Sequence, residues 1–114
     1  MTRTSTGSAG DRTRPLVLGY FRAHILMTIH EMAQVRTALA AFASAEGFTL
    51  GTVFIEHADS APAAFEAMVA AVRTGEVKAV VVPSLRHLGV LGAPSNVKRQ
   101  FESRTSARFL AAQA

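Results

Sequence analysis

Two short apolar runs constrain this chain more than anything else in it. Pro15-Leu16-Val17-Leu18-Gly19-Tyr20-Phe21 and Ala79-Val80-Val81-Val82-Pro83 carry no charged residue and no apolar/polar alternation. A strand with one wet face alternates, so an unbroken run of this length reads as a strand buried on both faces. Such strands belong to parallel sheets covered by helices. Neither run approaches the roughly 20 residues that span a bilayer.

Helical signals fall between the runs. Thr28-Ile29-His30-Glu31 has the Thr-x-x-Glu form of a capping box, in which each side chain bonds the other's backbone N–H. Met32, Val35, Leu39 and Phe42 follow at spacings of three and four and share one face. Gly47 stops that helix. Phe48 to Ile55 is rich in β-branched and aromatic residues and reads as a second strand. Asp59-Ser60-Ala61-Pro62 opens a second helix, with Ser60 or Asp59 as its cap and proline in the first turn. Phe65, Met68, Val69 and Val72 form its inward stripe, and Gly75 ends it. A third helix is expected over Ser95 to Ser103, capped by Ser95, with Val97 and Phe101 inward. Ala107 to Ala112 reads as a fourth strand burying Phe109 and Leu110, or as a fraying helix.

The order β-α-β-α-β-α-β, with connections long enough for right-handed crossovers, gives an α/β fold. It is expected as a three-layer, mostly parallel sheet of about four strands flanked by helices, in flavodoxin-like or response-regulator-like order. Ligands of such sheets sit beyond the carboxyl ends of the strands. Residues 22–27, 56–61 and 83–90 are therefore expected along one edge.

At 114 residues, 49% of them hydrophobic, the chain is one domain with enough apolar mass for a core. With no cysteine it has no disulfide, no thiolate metal site and no cysteine nucleophile. Lacking an apolar leader and a membrane-length run, it reads as cytoplasmic, with no membrane partner. The net charge is +4, and Arg3, Arg12 and Arg14 against Asp11 place half of it within residues 1–14. That segment is Thr/Ser/Gly-rich and aperiodic, and is expected as a disordered basic tail touching phosphates without sequence preference. Residues 15–114 form the folded domain.

Two motifs stand at the strand ends. Tyr20-Phe21-Arg22-Ala23-His24 closes the first run, and Ser84-Leu85-Arg86-His87-Leu88-Gly89-Val90 follows the third. With the stretch from Ala71 to Val82, which supplies a helix, a glycine turn and a strand in order, they resemble the catalytic domain of serine recombinases, the resolvase/invertase family. The likeness runs from about Leu16 to Leu110. That family reads Tyr-x-Arg-Val-Ser in the first place and Leu-Asp-Arg-Leu-x-Arg in the second. The resemblance implies a resolvase-like fold, and a family activity in which a serine hydroxyl attacks a DNA phosphate, forming a covalent link to the 5′ end, while arginines stabilise the transferring group.

The chain departs from the family where that chemistry is done. His24 stands at the serine position, Arg86-His87 in place of Asp-Arg, and Val90 at the second arginine. Tyr20, Arg22, His24 and His87 are thus the degenerate family positions, and Arg22 alone keeps its cation in place. Arg86 lies one position early, so its side chain is expected to point elsewhere. Glu56 or Asp59 matches the acidic residue after the family's second strand. The family's long dimerisation helix and DNA-binding domain have no counterpart in these residues.

The expected role is a regulatory or architectural binding module, not a strand-exchange enzyme, acting through a protein partner, weak DNA contact or a homodimer. The alternative is a small phosphate-site enzyme or nucleotide-binding module using Arg22, His24, Arg86 and His87, with His24 as a phosphorylatable nucleophile. His24, His57 and His87, with Glu56 or Asp59, invite a zinc reading, but no His-x-His or His-x-x-x-His pair supports it, and no metal or cofactor is expected. His30 lies on the capped helix, exposed. Lys98, Arg99, Arg104 and Arg108 read as a solvated basic face in which Lys98 pairs with Glu102. The alanines at 38, 41 and 45 and at 64, 67 and 71 would suit a flat self-association surface.

Overall fold

The computed structural model describes residues 14–75 and 77–113. Strands β1 (Leu16–Ala23), β2 (Thr49–His57), β3 (Ala79–Val82) and β4 (Arg108–Ala111) form one all-parallel sheet in the order β2-β1-β3-β4. Helices α1 (Ile29–Ala45), α2 (Ala63–Gly75) and α3 (Pro94–Thr105) make the crossovers, giving an α/β fold of flavodoxin-like arrangement. The segment at 107–112 is a strand, paired with β3 from Ala79↔Arg108 to Val82↔Ala111. The tail expected over 1–14 lies outside the described residues except Arg14, whose Nη1 donates to Ser44 Oγ at 3.1 Å.

The period-2 geometry of the strands divides the core into two layers. Val17, Phe21, Ala23, Ala79 and Val81 face α1 and meet Leu39 and Ala43. Leu18, Tyr20, Val80, Val82 and Phe109 face α2 and α3 and meet Phe65, Met68, Val72 and Phe101. Both faces of β3 are buried, as its unbroken apolar run requires. Gly19 lets α1 approach closely, because a Cβ there would lie 3.0 Å from Val53 and 3.4 Å from Leu39. Ala38, Ala41, Ala45 and Ala67 are exposed, whereas Ala64 and Ala71 pack against the core.

Helix ends show which local signals carried. The capping box of α1 forms as spelled: Glu31 N–H donates to Thr28 Oγ1 at 3.0 Å and Thr28 N–H to Glu31 Oε1 at 2.8 Å. The cap of α2 does not come from Ser60 or Asp59. Those residues lie in a 3-10 turn over Ala58–Ser60, where Ser60 Oγ donates back to His57 O at 3.4 Å, and the helix starts only at Ala63. Glu56, at the end of β2, takes the capping role across space. Its Oε2 accepts Ala64 N–H at 3.1 Å, and its Oε1 accepts Phe65 N–H at 2.9 Å. Ser95 does not cap α3 either. The cap position is Ala93, and Pro94 begins the helix, a place where its missing N–H costs nothing.

The C-terminal end of α3 turns through Ser106 in the left-handed conformation, φ 64°, and leads directly into β4. Glu102 fastens that corner, accepting Lys98 Nζ at 2.9 Å and Phe109 N–H at 3.1 Å. Burial pushes its carboxyl up, but Lys98, the Phe109 N–H and Arg108 outweigh burial and hold it below the usual carboxylate range. Arg104 lies 3.9 Å from Glu66 of α2.

Glu56 is fully buried, and its third hydrogen bond comes from Tyr20 Oη at 2.8 Å. Removing a buried acceptor strands its donors, each at a cost of about 1–3 kcal/mol. Glu56→Ala should therefore destabilise by about 3–5 kcal/mol, and Glu56→Gln, which keeps one acceptor oxygen, by about 1–3 kcal/mol. Urea denaturation of the two variants checks the order; equal stability to the parent chain would show that the cap contributes nothing.

Candidate functional site

The strand order reverses at β1. Its next strand in sequence, β2, lies on one side, and β3 lies on the other. Such a switch point leaves a crevice between the two crossover connections at the carboxyl end of the sheet. The two sequence motifs flank this crevice: Arg22 comes from β1, and Arg86 and His87 from a 3-10 turn over Leu85–Leu91 after β3. The three side chains line one concavity of about 280 Å3. Arg86 thus borders the same concavity as Arg22.

His87 completes the sheet where β3 runs out. β3 pairs with β1 only at Leu18↔Val80 and Gly19↔Val81. Beyond that register the N–H of Arg22 has no strand carbonyl on this side, and it donates instead to His87 Nδ1 at 3.0 Å. A nitrogen that accepts carries no proton, so the neutral ring holds its proton on Nε2. Burial chiefly, then the charges of Arg22 and Arg86, push the His87 pKa below its ordinary value of 6.5. The site therefore offers two guanidinium groups and one imidazole N–H. Ser84, at the start of this loop, is buried, and its hydroxyl has no partner among the described residues.

His24 lies elsewhere. It lines a second concavity of about 350 Å3 with Ala23, Ile25, Met27, Met32, His57 and Asp59. The edge expected from residues 22–27, 56–61 and 83–90 is present, but it is divided. Arg22, Arg86 and His87 gather on the β3 side, and His24, His57 and Asp59 on the β2 side. Among the described residues no three histidine, aspartate or glutamate side chains come together as a metal-binding set. Likewise no helix there is long and apolar enough to cross a membrane.

Two further candidate residues, Tyr20 and Glu56, face inward. Tyr20 and Glu56 are both fully buried and bonded to each other. Burial, then the hydrogen bond to Glu56 and its charge, raise the Tyr20 hydroxyl far above its usual value, despite the opposing pull of Arg22. Tyr20 is a fixed donor, and every Glu56 bond is spent inside the fold. Sequence reasoning missed this pair. The signal was the one carboxylate of β2, directly after Val53-Phe54-Ile55, which burial tolerates only with donors around it.

Because folding depresses the His87 pKa, the folded chain binds fewer protons than the unfolded chain around pH 6.5 and below. Its contribution to stability is complete above pH 6.5 and is lost as pH falls from there through the lower folded value. His87→Asn places an amide oxygen near the Nδ1 position and cannot titrate. The variant should lose less stability than the parent chain between pH 7.5 and pH 5.5 in matched urea titrations; parallel losses would mean that His87 does not carry the proton linkage.

Comparison of the chain with known protein families and with curated proteins gives no match.

Proposed function

We propose that this chain is a resolvase-like binding module that engages the phosphates of duplex DNA without cutting the strand, in a regulatory or architectural role. The observation that carries the reading is the convergence of Arg22, Arg86 and His87 at the switch point of the sheet. All three present donors only, and neither arginine is in an ion pair among the described residues. A phosphodiester presents acceptors only, and a guanidinium meets its oxygens in bidentate fashion. The likeness of the two motifs to the serine recombinases makes DNA the natural source of that phosphate.

Support for a non-cutting role comes from the placement of the other positions. Phosphoryl transfer needs a nucleophile and a charge clamp on one phosphate at once. His24, at the family's nucleophile position, lines a different concavity from the arginines. An enzyme built on His24 and the Arg22/His87 edge meets the same geometric objection.

The test is fluorescence anisotropy of labelled duplex DNA over a salt series. Each phosphate contact contributes about 0.9 to the slope of log K against log salt. Arg22→Ala with Arg86→Ala should weaken binding and flatten the slope by about 1.8, reflecting two lost contacts. An unchanged slope would place the DNA contact elsewhere, and absence of binding by the parent chain would remove DNA as the ligand.

A further inference from the structure

The fold divides the three histidines that invited a zinc site. His87 accepts the Arg22 N–H, while His24 and His57 remain together on the other concavity, of about 350 Å3. Among the described residues no acid joins those two in a metal-binding set of three, so the usual nitrogen and oxygen set for zinc does not form. The concavity supplies sulfur instead, because Met27 and Met32 line it as well.

Backbone placement gathers these four donors. Ala23 and His57 are register partners in the parallel β1–β2 ladder, so His24 leaves β1 one residue beyond the point where His57 leaves β2. Adjacent strands lie about 4.8 Å apart, which keeps the two histidine Cα atoms within about 9 Å. Met27 N–H donates to His24 O at 3.0 Å, closing a four-residue turn that holds the Met27 Cα within about 7 Å of that of His24. Met32 completes the first turn of α1, whose start the Thr28/Glu31 box fixes. Both methionines are half-buried against the layer beneath α1, and both histidines are exposed. Methionine is unbranched, with three rotatable bonds, so its sulfur adapts to a nearby partner with little rearrangement.

The charge here suits a cation. Among the described residues no lysine or arginine lines the concavity, and Asp59 does. Glu31, whose carboxyl the Thr28 N–H holds below the usual carboxylate range, lies close enough to His24 to interact with it. Imidazole binds metals in its neutral form, and a thioether carries no charge. Two such nitrogens with two such sulfurs make a soft donor set. Thioethers select copper(I), whereas magnesium, calcium and manganese need oxygen.

We propose that His24, His57, Met27 and Met32 form a binding site for a soft monovalent metal ion, copper(I), at the β1–β2 end of the sheet. The site shares no residue with the Arg22, Arg86 and His87 concavity and does not depend on the DNA reading. The chain has no cysteine, so no thiolate competes for the ion.

The experiment uses the full chain with isotope-labelled methionine methyl groups. It is titrated with silver nitrate, a redox-inert stand-in, in chloride-free buffer, and separately with copper(I) under argon against a chromophoric chelator. Silver should move the Met27 and Met32 methyl signals and the His24 and His57 ring signals together, saturating at one ion per chain. The buried Met68 and the exposed His30 should stay in place. Met27→Leu with Met32→Leu conserves volume and should weaken copper(I) binding by more than about tenfold, since losing even an outer partner of a ligand costs about 10–100-fold. His24→Gln with His57→Gln, at exposed positions, should weaken it likewise with an unchanged urea midpoint, which keeps the test decisive if the leucine variant unfolds. Absence of copper(I) uptake would overturn the site. So would silver moving Met1 or His30 alone, imidazole shifts without the Met27 and Met32 methyls, or uptake that the glutamine variant retains in full.

Discussion

The buried carboxylate of Glu56 is the contact on which this edge of the fold depends. A carboxylate out of water is costly unless donors surround it. Glu56 collects them from two separate parts of the chain: the Tyr20 hydroxyl on β1 and the first free amides of α2. The positive end of the α2 dipole points at the same group. One side chain thus fixes three things together: the end of β2, the face of β1 and the start of α2. It also fixes the site indirectly. Tyr20 is held two residues before Arg22, so the strand that presents Arg22 cannot twist without breaking a buried hydrogen bond.

On the other side of β1 the sheet ends early, and a side chain takes over from a strand. β3 is only four residues long, and the His87 ring supplies the acceptor that a longer strand would have supplied through its backbone. This substitution has an electrostatic consequence. A protonated ring would lose the Arg22 N–H bond and would place a third positive charge beside two arginines. Burial and charge both favour the neutral ring, and neutrality in turn preserves the bond that ties the loop carrying Arg86 and His87 to the end of β1. Structure and charge state reinforce each other here. The site is cationic because two arginines line it, and the backbone that presents Arg22 is held in part because the neighbouring histidine is not cationic.

The sequence was legible where information is local or periodic. The unbroken runs at 15–21 and 79–83 announced β1 and β3, and the Thr28/Glu31 box announced the start of α1 to the residue, because both partners of the cap lie within one turn. It was illegible where a partner comes from far along the chain. Ser60 sits close to the start of α2 in sequence, yet the acceptor used is Glu56, brought to the helix by the path of β2 through the sheet. Ser95 failed as a cap for a simpler reason: Pro94 already opens the helix, so Ser95 stands inside the first turn. The candidate site shows the same division. Its location at the strand ends followed from topology alone. Its membership did not, because the tight turn closed by Met27 N–H on His24 O directly after β1 sets His24 on a different concavity from Arg22, which strand spacing alone does not foresee.

The composition of the edge also bears on how strongly it can bind. A module that relies on charge alone usually neutralises several phosphates, since each contact is weakened by salt and the field of an exposed cation fades within about 8 Å under physiological conditions. Two arginines and an imidazole N–H form a small clamp by that measure. A clamp of two guanidinium groups releases few counterions, so in the proposed mode its affinity is low and its salt slope shallow, about 1.8. Such a clamp sets the orientation of a phosphate more than it secures a long stretch of backbone, which fits a regulatory contact better than a tight grip on DNA.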